Sequence, residues 1–252
     1  MTLPYPASWC DVFLSDMTAS DVLQAMFDPL QDVVFSIKDR QGRYVLMSEA
    51  CVKRCGLQRK EEAIGKTAFA LFPEPMAQRY ARQDEHVFQT GRPMIGSLDL
   101  TVYNDGSTGW CLTTKQPLCD RTGIVVGLTC VSRDLVEPSR TRMIDSAFAE
   151  AIDHMREHYA EKLRLEDLAR LASVSESQFE RRMKRVFQLS AGQYLIKLRI
   201  SAAARLLQQS EESISGIAQQ VGFFDQSLLT RAFRRVTGMS PGQYRRVFHD
   251  WR

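Results

Sequence analysis

The chain has 252 residues, of which 44% are hydrophobic and 25% charged, and its net charge is +3. At roughly 100–200 residues per domain this length suits two domains, and the composition excludes a disordered or fibrous protein. No apolar run approaches the ~20 residues needed to cross a bilayer, and Met1–Cys10 lacks the basic-then-apolar pattern of a secretory signal, so a cytoplasmic protein without membrane contact is expected.

The first 20 residues read as an extension, followed by a first domain over 21–135. Val33-Val34-Phe35-Ser36-Ile37 is a β-rich run that ends in a turn signal, Asp39-Arg40-Gln41-Gly42, and Arg43–Met47 reads as the returning strand. Short helices are expected next, and Pro75–Thr90 has helical spacing that stops at Gly91. Ser97–Tyr103, Thr108–Pro117 and Ile124–Ser132 are three more strands, separated by Asn104-Asp105-Gly106 and Asp120-Arg121-Thr122-Gly123. The expected first domain is thus one antiparallel sheet with flanking helices. All six cysteines, Cys10, Cys51, Cys55, Cys111, Cys119 and Cys130, fall in this half. Without a secretory signal they are expected as thiols rather than disulfides. The spacing Cys51-x3-Cys55 has no second pair and no nearby histidine, so it does not read as a metal site.

Ile64-Gly65-Lys66-Thr67, Leu71-Phe72-Pro73, Asp105-Gly106, Trp110, Thr114-Lys115, Pro117-Leu118, Asp120, Gly123, Val126-Gly127-Leu128 and Ser132-Arg133-Asp134 follow one another in the order of a PAS domain, which this region resembles. One departure is Ser48-Glu49-Ala50, where many PAS domains carry an asparagine before the alanine. The resemblance implies a sensor and dimerisation module, hence a homodimer and a small-molecule effector, but no identified cofactor. His86 lies on the helix that some PAS haem sensors use, although a lone histidine is more often structural. Cys51 and Cys55 lack the Asn-Cys-Arg context of a photoactive flavin domain. Trp110, Thr113 and Lys115 sit on an expected central strand, where one face would line a pocket or pack as plain core.

Residues 136–142, with Pro138, read as a linker to a second domain over 143–252. Ile144, Phe148, Ala151, Ile152 and Met155 make an apolar stripe, read either as the first helix of that domain or as a coiled-coil connector. Charge changes here. Residues 1–140 hold 15 Lys+Arg against 17 Asp+Glu, and residues 141–252 hold 18 against 13. The second half is the better match for a polyanion.

The second domain contains an internal repeat. Ser190-Ala191-Gly192-Gln193-Tyr194 recurs fifty residues later as Ser240-Pro241-Gly242-Gln243-Tyr244. Arg181 then matches Arg231, Met183 matches Phe233, and Ser175 matches Asp225; further upstream the offset becomes 49, so one residue is inserted in the second turn. Each repeat reads as helix, turn, helix, over about 165–187 and 214–237. Ser175 and Asp225 are the expected N-caps of the second helices. Between the repeats a helix from Ala191 to Gln208 carries a stripe of Leu195, Leu198, Ala202 and Leu206. The outward faces of the capped helices carry Ser177, Glu180, Arg181 and Lys184 in the first repeat, and Gln226, Ser227, Thr230, Arg231 and Arg234 in the second. These are residue types that bond base edges and phosphates in the major groove. A solvated charged face is the alternative for one helix, but not readily for two repeated in register.

Gly222-Phe223, Asp225-Gln226-Ser227, Arg231-Ala232-Phe233-Arg234-Arg235 and Ser240-Pro241-Gly242-Gln243-Tyr244-Arg245 resemble the signature of the AraC/XylS-type transcriptional regulators over about residues 143–248. The resemblance implies a seven-helix domain with the helices near 175–187 and 225–236 in the major groove. Its implied partners are double-stranded DNA and RNA polymerase, and most relatives are activators. By matching position Glu180 and Arg181 fall where the first unit reads bases, and Gln226, Ser227, Thr230 and Arg231 where the second does. Glu180 is acidic where neutral or basic residues are commoner, and Leu228 is apolar at a variable position. Alternatives are a constitutive regulator whose first domain only dimerises, and a DNA-repair alkyl-transfer enzyme. The latter needs a Pro-Cys-His-Arg nucleophile, and no cysteine here follows a proline or precedes a histidine.

Overall fold

The computed structural model describes residues 18–102, 108–135 and 146–249. Most of the extension 1–20, Cys10, the turn at Asn104-Asp105-Gly106, the linker 136–142 and the stripe residue Ile144 lie outside the described residues. By internal packing the chain divides into two units. One holds the residues up to Ser97 with Thr113–Arg133, and the other holds Leu98–Leu112 with the residues from Asp134 on.

The N-terminal part is a sheet with helices: α1 (Ala19–Phe27), β1 (Val33–Asp39), β2 (Tyr44–Met47), α2 (Glu49–Arg54), α3 (Glu74–Thr90), β3 (Met94–Val102), β4 (Thr108–Cys119) and β5 (Val125–Asp134). The five strands lie in the order β2-β1-β5-β4-β3. The first strand is therefore interior, antiparallel to β5 from Val33↔Arg133 to Asp39↔Gly127 and antiparallel to β2 on its other side. The turns follow from the Asp-Gly signals. Asp39 Oδ1 accepts from the Gln41 and Arg43 amides at 3.0 and 2.9 Å, and Asp120 Oδ1 from Thr122 and Ile124 at 2.8 and 3.0 Å. Each carboxylate thereby organises its own turn. Helix α1 has no counterpart among the expected elements. Its Phe27 ring stacks on Phe35 of β1, centroids 4.1 Å apart, and Lys60 Nζ donates to Gln24 Oε1 at 2.8 Å and to Asp28 Oδ2 at 2.6 Å, so tertiary contacts anchor it.

From Ser146 onward there are seven α-helices among the described residues: α4 (Ser146–Glu157), α5 (Leu165–Leu171), α6 (Glu176–Phe187), α7 (Ala191–Gln209), α8 (Ile214–Gln220), α9 (Gln226–Thr237) and α10 (Pro241–His249). Phe148, Ala151, Ile152 and Met155 of α4 are buried in one cluster with Leu168, Phe179, Met183 and Tyr194. Helix α4 is therefore part of this bundle. The stripe expected for α7 is displaced. Tyr194, Ile200, Ala203 and Leu207 are its fully buried residues; of the expected stripe Ala202 is buried, whereas Leu195, Leu198 and Leu206 are only half-buried. A helix flanked on both sides buries a broad arc, so its most apolar residues do not mark its centre. No helix among the described residues is long and apolar enough to cross a membrane.

Candidate nucleic-acid interface and a buried charged cluster

Helices α6 and α9 are built alike. Ser175 Oγ accepts from the Gln178 amide at 3.3 Å while Gln178 Oε1 returns to the Ser175 amide at 3.1 Å. Asp225 Oδ1 accepts from the Leu228 amide at 2.7 Å. Such caps are each worth about 1 kcal/mol and define where the helix begins. Inward, α6 buries Phe179, Met183 and Phe187, and α9 buries Leu229, Phe233 and Val236. Their ends match as well: Gln188 and Gly238 both close the helix in the left-handed region, with φ of 59° and 80°.

The repeated Ser-x-Gly-Gln-Tyr has a structural reason. Ser190 and Gln193 form a reciprocal capping box at the start of α7, with bonds of 3.1 and 2.9 Å, and Ser240 and Gln243 form the same box at α10, at 3.3 and 2.8 Å. The tyrosine one residue on is fully buried in both copies. Tyr194 lies 4.6 Å from the Phe187 ring and accepts from Arg156 Nε at 3.0 Å; Tyr244 lies 5.1 Å from Phe233 and accepts from Gln208 Nε2 at 3.1 Å. Each motif thus caps one helix and anchors it against the preceding helix of the pair. Burial pushes the Tyr244 hydroxyl pKa up, opposed by the Gln208 bond.

With the apolar faces turned in, the remaining faces are solvated. Ser177, Arg181 and Lys184 are exposed on α6, as are Gln226, Ser227, Arg231 and Arg234 on α9, with Thr230 half-buried beside them. Glu180 differs. It is half-buried, and both its carboxylate oxygens accept from the Ala191 amide at 3.3 Å, so it braces the start of α7. Arg185 and Arg235, in the last turns of α6 and α9, add to the basic surface. The connecting helix α7 has 19 residues. At 1.5 Å per residue it is about 28 Å long.

The other chemically distinctive place is in the sheet domain. Lys38 of β1 and Lys115 of β4 share a single carboxylate, Asp84 of α3, and all three are at least 96% buried. Lys38 Nζ donates to Asp84 Oδ2 at 2.7 Å, and Lys115 Nζ donates to Asp84 Oδ1 and, at 3.3 Å, to the Tyr80 carbonyl. Burial by itself would raise the Asp84 pKa, yet the two ammonium charges and their hydrogen bonds more than offset it and hold the carboxyl below the usual 3.8. Burial lowers the Lys115 pKa against the pull of Asp84. Thr113, two residues before Lys115, is also buried and bonds to Ser132 Oγ at 3.1 Å. Alternation along β4 places Cys111, Thr113 and Lys115 on one face; Trp110 has the opposite parity and is only half-buried. Of the three expected pocket residues, two share the interior. Lys38 and Asp84 were not singled out from the sequence. A signal for Asp84 existed, because Tyr80, Asp84 and Phe88 recur every fourth residue on α3.

His86 is exposed on α3. Cys51 and Cys55 lie one helical turn apart, buried in the core, where their mutual hydrogen bond and burial push the Cys51 thiol up; burial likewise raises Cys130 to about 11. Among the described residues no cysteine forms a disulfide and no His/Cys/Asp/Glu group is arranged to hold a metal ion.

Comparison with known proteins agrees with both halves. A helix-turn-helix domain model matches residues 168–247, and a PAS fold model matches residues 27–140. The MmsAB operon regulatory protein of Pseudomonas aeruginosa is 34% identical over 111 residues, which are 44% of this chain and 36% of that protein. A putative AraC-like transcription regulator of Streptomyces lividans is 36% identical over 104 residues, covering 41% and 34% of the two chains. Among solved structures, the DNA-binding domain of AdpA in complex with a target DNA is 34% identical, covers 42% of this chain and 96% of its own, and superposes with a TM-score of 0.41. The matches span about a third of the length of these two curated relatives. The chain carries a PAS domain at its N-terminus and a helix-turn-helix domain of the AraC type at its C-terminus.

Proposed function

We propose that the protein is a sequence-specific transcriptional regulator, not an enzyme, that reads DNA with α6 and α9. The observation that carries this is the duplication of the capped helix. Both copies bury corresponding apolar residues, Phe179 with Leu229 and Met183 with Phe233, and turn basic and hydrogen-bonding side chains to solvent. Successive major grooves on one face of DNA lie about 34 Å apart, and a rod of about 28 Å between the two units is suited to that spacing. Arg181 in the first unit, and Gln226, Ser227, Thr230 and Arg231 in the second, are the base-reading residues. Ser177 supports the first of these sets, and Lys184 and Arg234 reach phosphates. Glu180 positions α7 and acts on DNA indirectly. Because the outward faces differ, each protomer reads an asymmetric site.

The same reading makes the protein a cytoplasmic activator that works with RNA polymerase as a homodimer. Its PAS domain senses a small molecule through the interior that holds Thr113, Lys115, Lys38 and Asp84. Two buried ammonium groups on one carboxylate are an unusual investment for a domain that only dimerises, since buried charge is costly to maintain. Selection of bound DNA from a random pool, followed by footprinting, tests the DNA reading. Two protected major-groove segments per protomer are expected, and Arg181→Ala and Arg231→Ala should each cost about 1–3 kcal/mol of specific binding. Unchanged binding by both variants would refute the groove assignment. Thermal-shift screening with metabolites tests the sensor. The absence of any stabilising compound, together with full activity in their absence, would leave dimerisation as the role of the PAS domain.

A further inference from the structure

The turns of the two helix-turn-helix units correspond residue by residue. Ser173 and Gly222 both lie in the left-handed region, with φ of 52° and 82°. The next residue in each returns its amide to the preceding helix, Val174 to the Ala169 carbonyl at 3.0 Å and Phe223 to the Ala218 carbonyl at 2.9 Å. These pairs are 49 residues apart, but the N-caps Ser175 and Asp225 are 50 apart. The inserted residue is therefore Phe224.

Phe224 takes no part in the scaffold. In the first unit the residue before the cap, Val174, packs half-buried against the cluster that contains Phe179, the usual apolar pairing that sets the path of the chain into a helix. In the second unit the residue whose amide returns to the preceding helix in the same way is Phe223. It is half-buried, with its ring 5.8 Å from the Arg199 guanidinium, and Leu229 is fully buried without help from Phe224. Phe224 is left 88% exposed, the most exposed large hydrophobic side chain among the described residues.

Its surroundings indicate what covers it. The exposed residues that follow are Asp225, Gln226 and Ser227, with Arg231, Arg234 and Arg235 further along α9. The apolar surface beside it in the chain is limited to Leu228, at 38% exposure, and the uncovered part of the half-buried Phe223. A protein-docking site is normally a contiguous apolar patch, whereas this is a single ring on a polar, basic face. Residues at the start of a groove-entering helix are the ones that reach base edges. The one apolar feature of the major groove is the thymine C5-methyl group, and phenylalanine is among the side chains that contact it. We propose that Phe224 is a specificity-determining residue of the second unit, packing on the C5-methyl of a thymine at the edge of that unit's half-site. This rests on α9 being the helix that reads the groove.

The test uses the full chain and an operator selected from a random pool. Each thymine of the half-site read by α9 is replaced singly by uracil, which removes only the methyl group. One such replacement should weaken wild-type binding about fourfold, the worth of one buried methyl group. Phe224→Ala should weaken the thymine operator at least as much, and should bind that thymine and uracil pair equally, with an unchanged melting curve. The proposal is overturned if Phe224→Ala binds as wild type does, if every uracil operator weakens both proteins by the same factor, or if the selected half-site lacks thymine. Loss of transcription with unchanged binding would also overturn it, by placing the ring against the polymerase. Arg231→Ala serves as the control: if it too binds as wild type does, the failure lies with the assignment of α9 rather than with Phe224.

Discussion

Asp84→Asn should be far more damaging than Lys115→Met, although each removes one end of the same buried ion pair. Asp84 is the single carboxylate between Lys38 and Lys115, and all three side chains are at most 5% exposed. Removing it leaves two ammonium groups facing each other without a counter-charge. Breaking a buried pair by removing one partner costs about 3–5 kcal/mol, and the cost here belongs at the upper end because two charges are abandoned. Lys115→Met instead leaves Lys38 and Asp84 as a one-to-one pair at 2.7 Å and removes a desolvated cation. Because a charge-balanced pair remains and no buried charge is left uncompensated, the penalty for breaking a buried pair does not apply, and a change within about 1 kcal/mol is expected. Hydrogen exchange read by mass spectrometry on peptides from β1 and β4 reports on this domain in the full chain. Equal loss of protection in the two variants would refute the argument that the carboxylate, shared by two cations, is the keystone of the cluster.

The remaining predictions concern both domains. Asp84 is ionised more readily in the folded state than its ordinary value of 3.8, so its contribution is complete above that pH and is lost as the pH falls through the lower native value. Acid unfolding of wild type, followed by circular dichroism, should therefore show a steep loss below pH 3.8 that is blunted in Asp84→Asn. Gly222→Ala should destabilise the helix-turn-helix domain by about 2–5 kcal/mol. The residue has φ of 82°, and an added Cβ would lie 2.4 Å from the Ala160 carbonyl oxygen; urea unfolding checks this, and a loss under 1 kcal/mol would contradict it. Arg234→Ala should weaken binding to all DNA sequences alike and reduce the slope of log K against log salt by about one, whereas Arg231→Ala should relax selectivity at particular base pairs.

The sequence by itself determined most of the DNA-binding half. Its information there is local and doubled: a Ser or Asp cap, an apolar position every third or fourth residue, and Ser-x-Gly-Gln-Tyr appearing twice. The strands of the first domain were equally legible where Asp-Gly turns and β-branched runs coincide, because turn chemistry acts within four residues. The tertiary structure decided what depends on distant partners. Helix α1 is anchored by partners distant in the chain, Phe35 and Lys60, and which arc of α7 is buried depends on two flanking helix pairs. Glu180 shares a helix face with the exposed Ser177 and Lys184, but the Ala191 amide eleven residues on gives it a bracing role. Trp110 and Lys115 look alike in a list of strand residues, yet pleating sends them to opposite faces. Lys38, Asp84 and Lys115 are separated by more than thirty residues at each step, and only the packing of α3 over the sheet joins them. The added residue in the second turn was countable from the repeat. Identifying it as Phe224 required knowing which backbone amides return to the preceding helix, since a one-residue shift is invisible until hydrogen bonds fix the register.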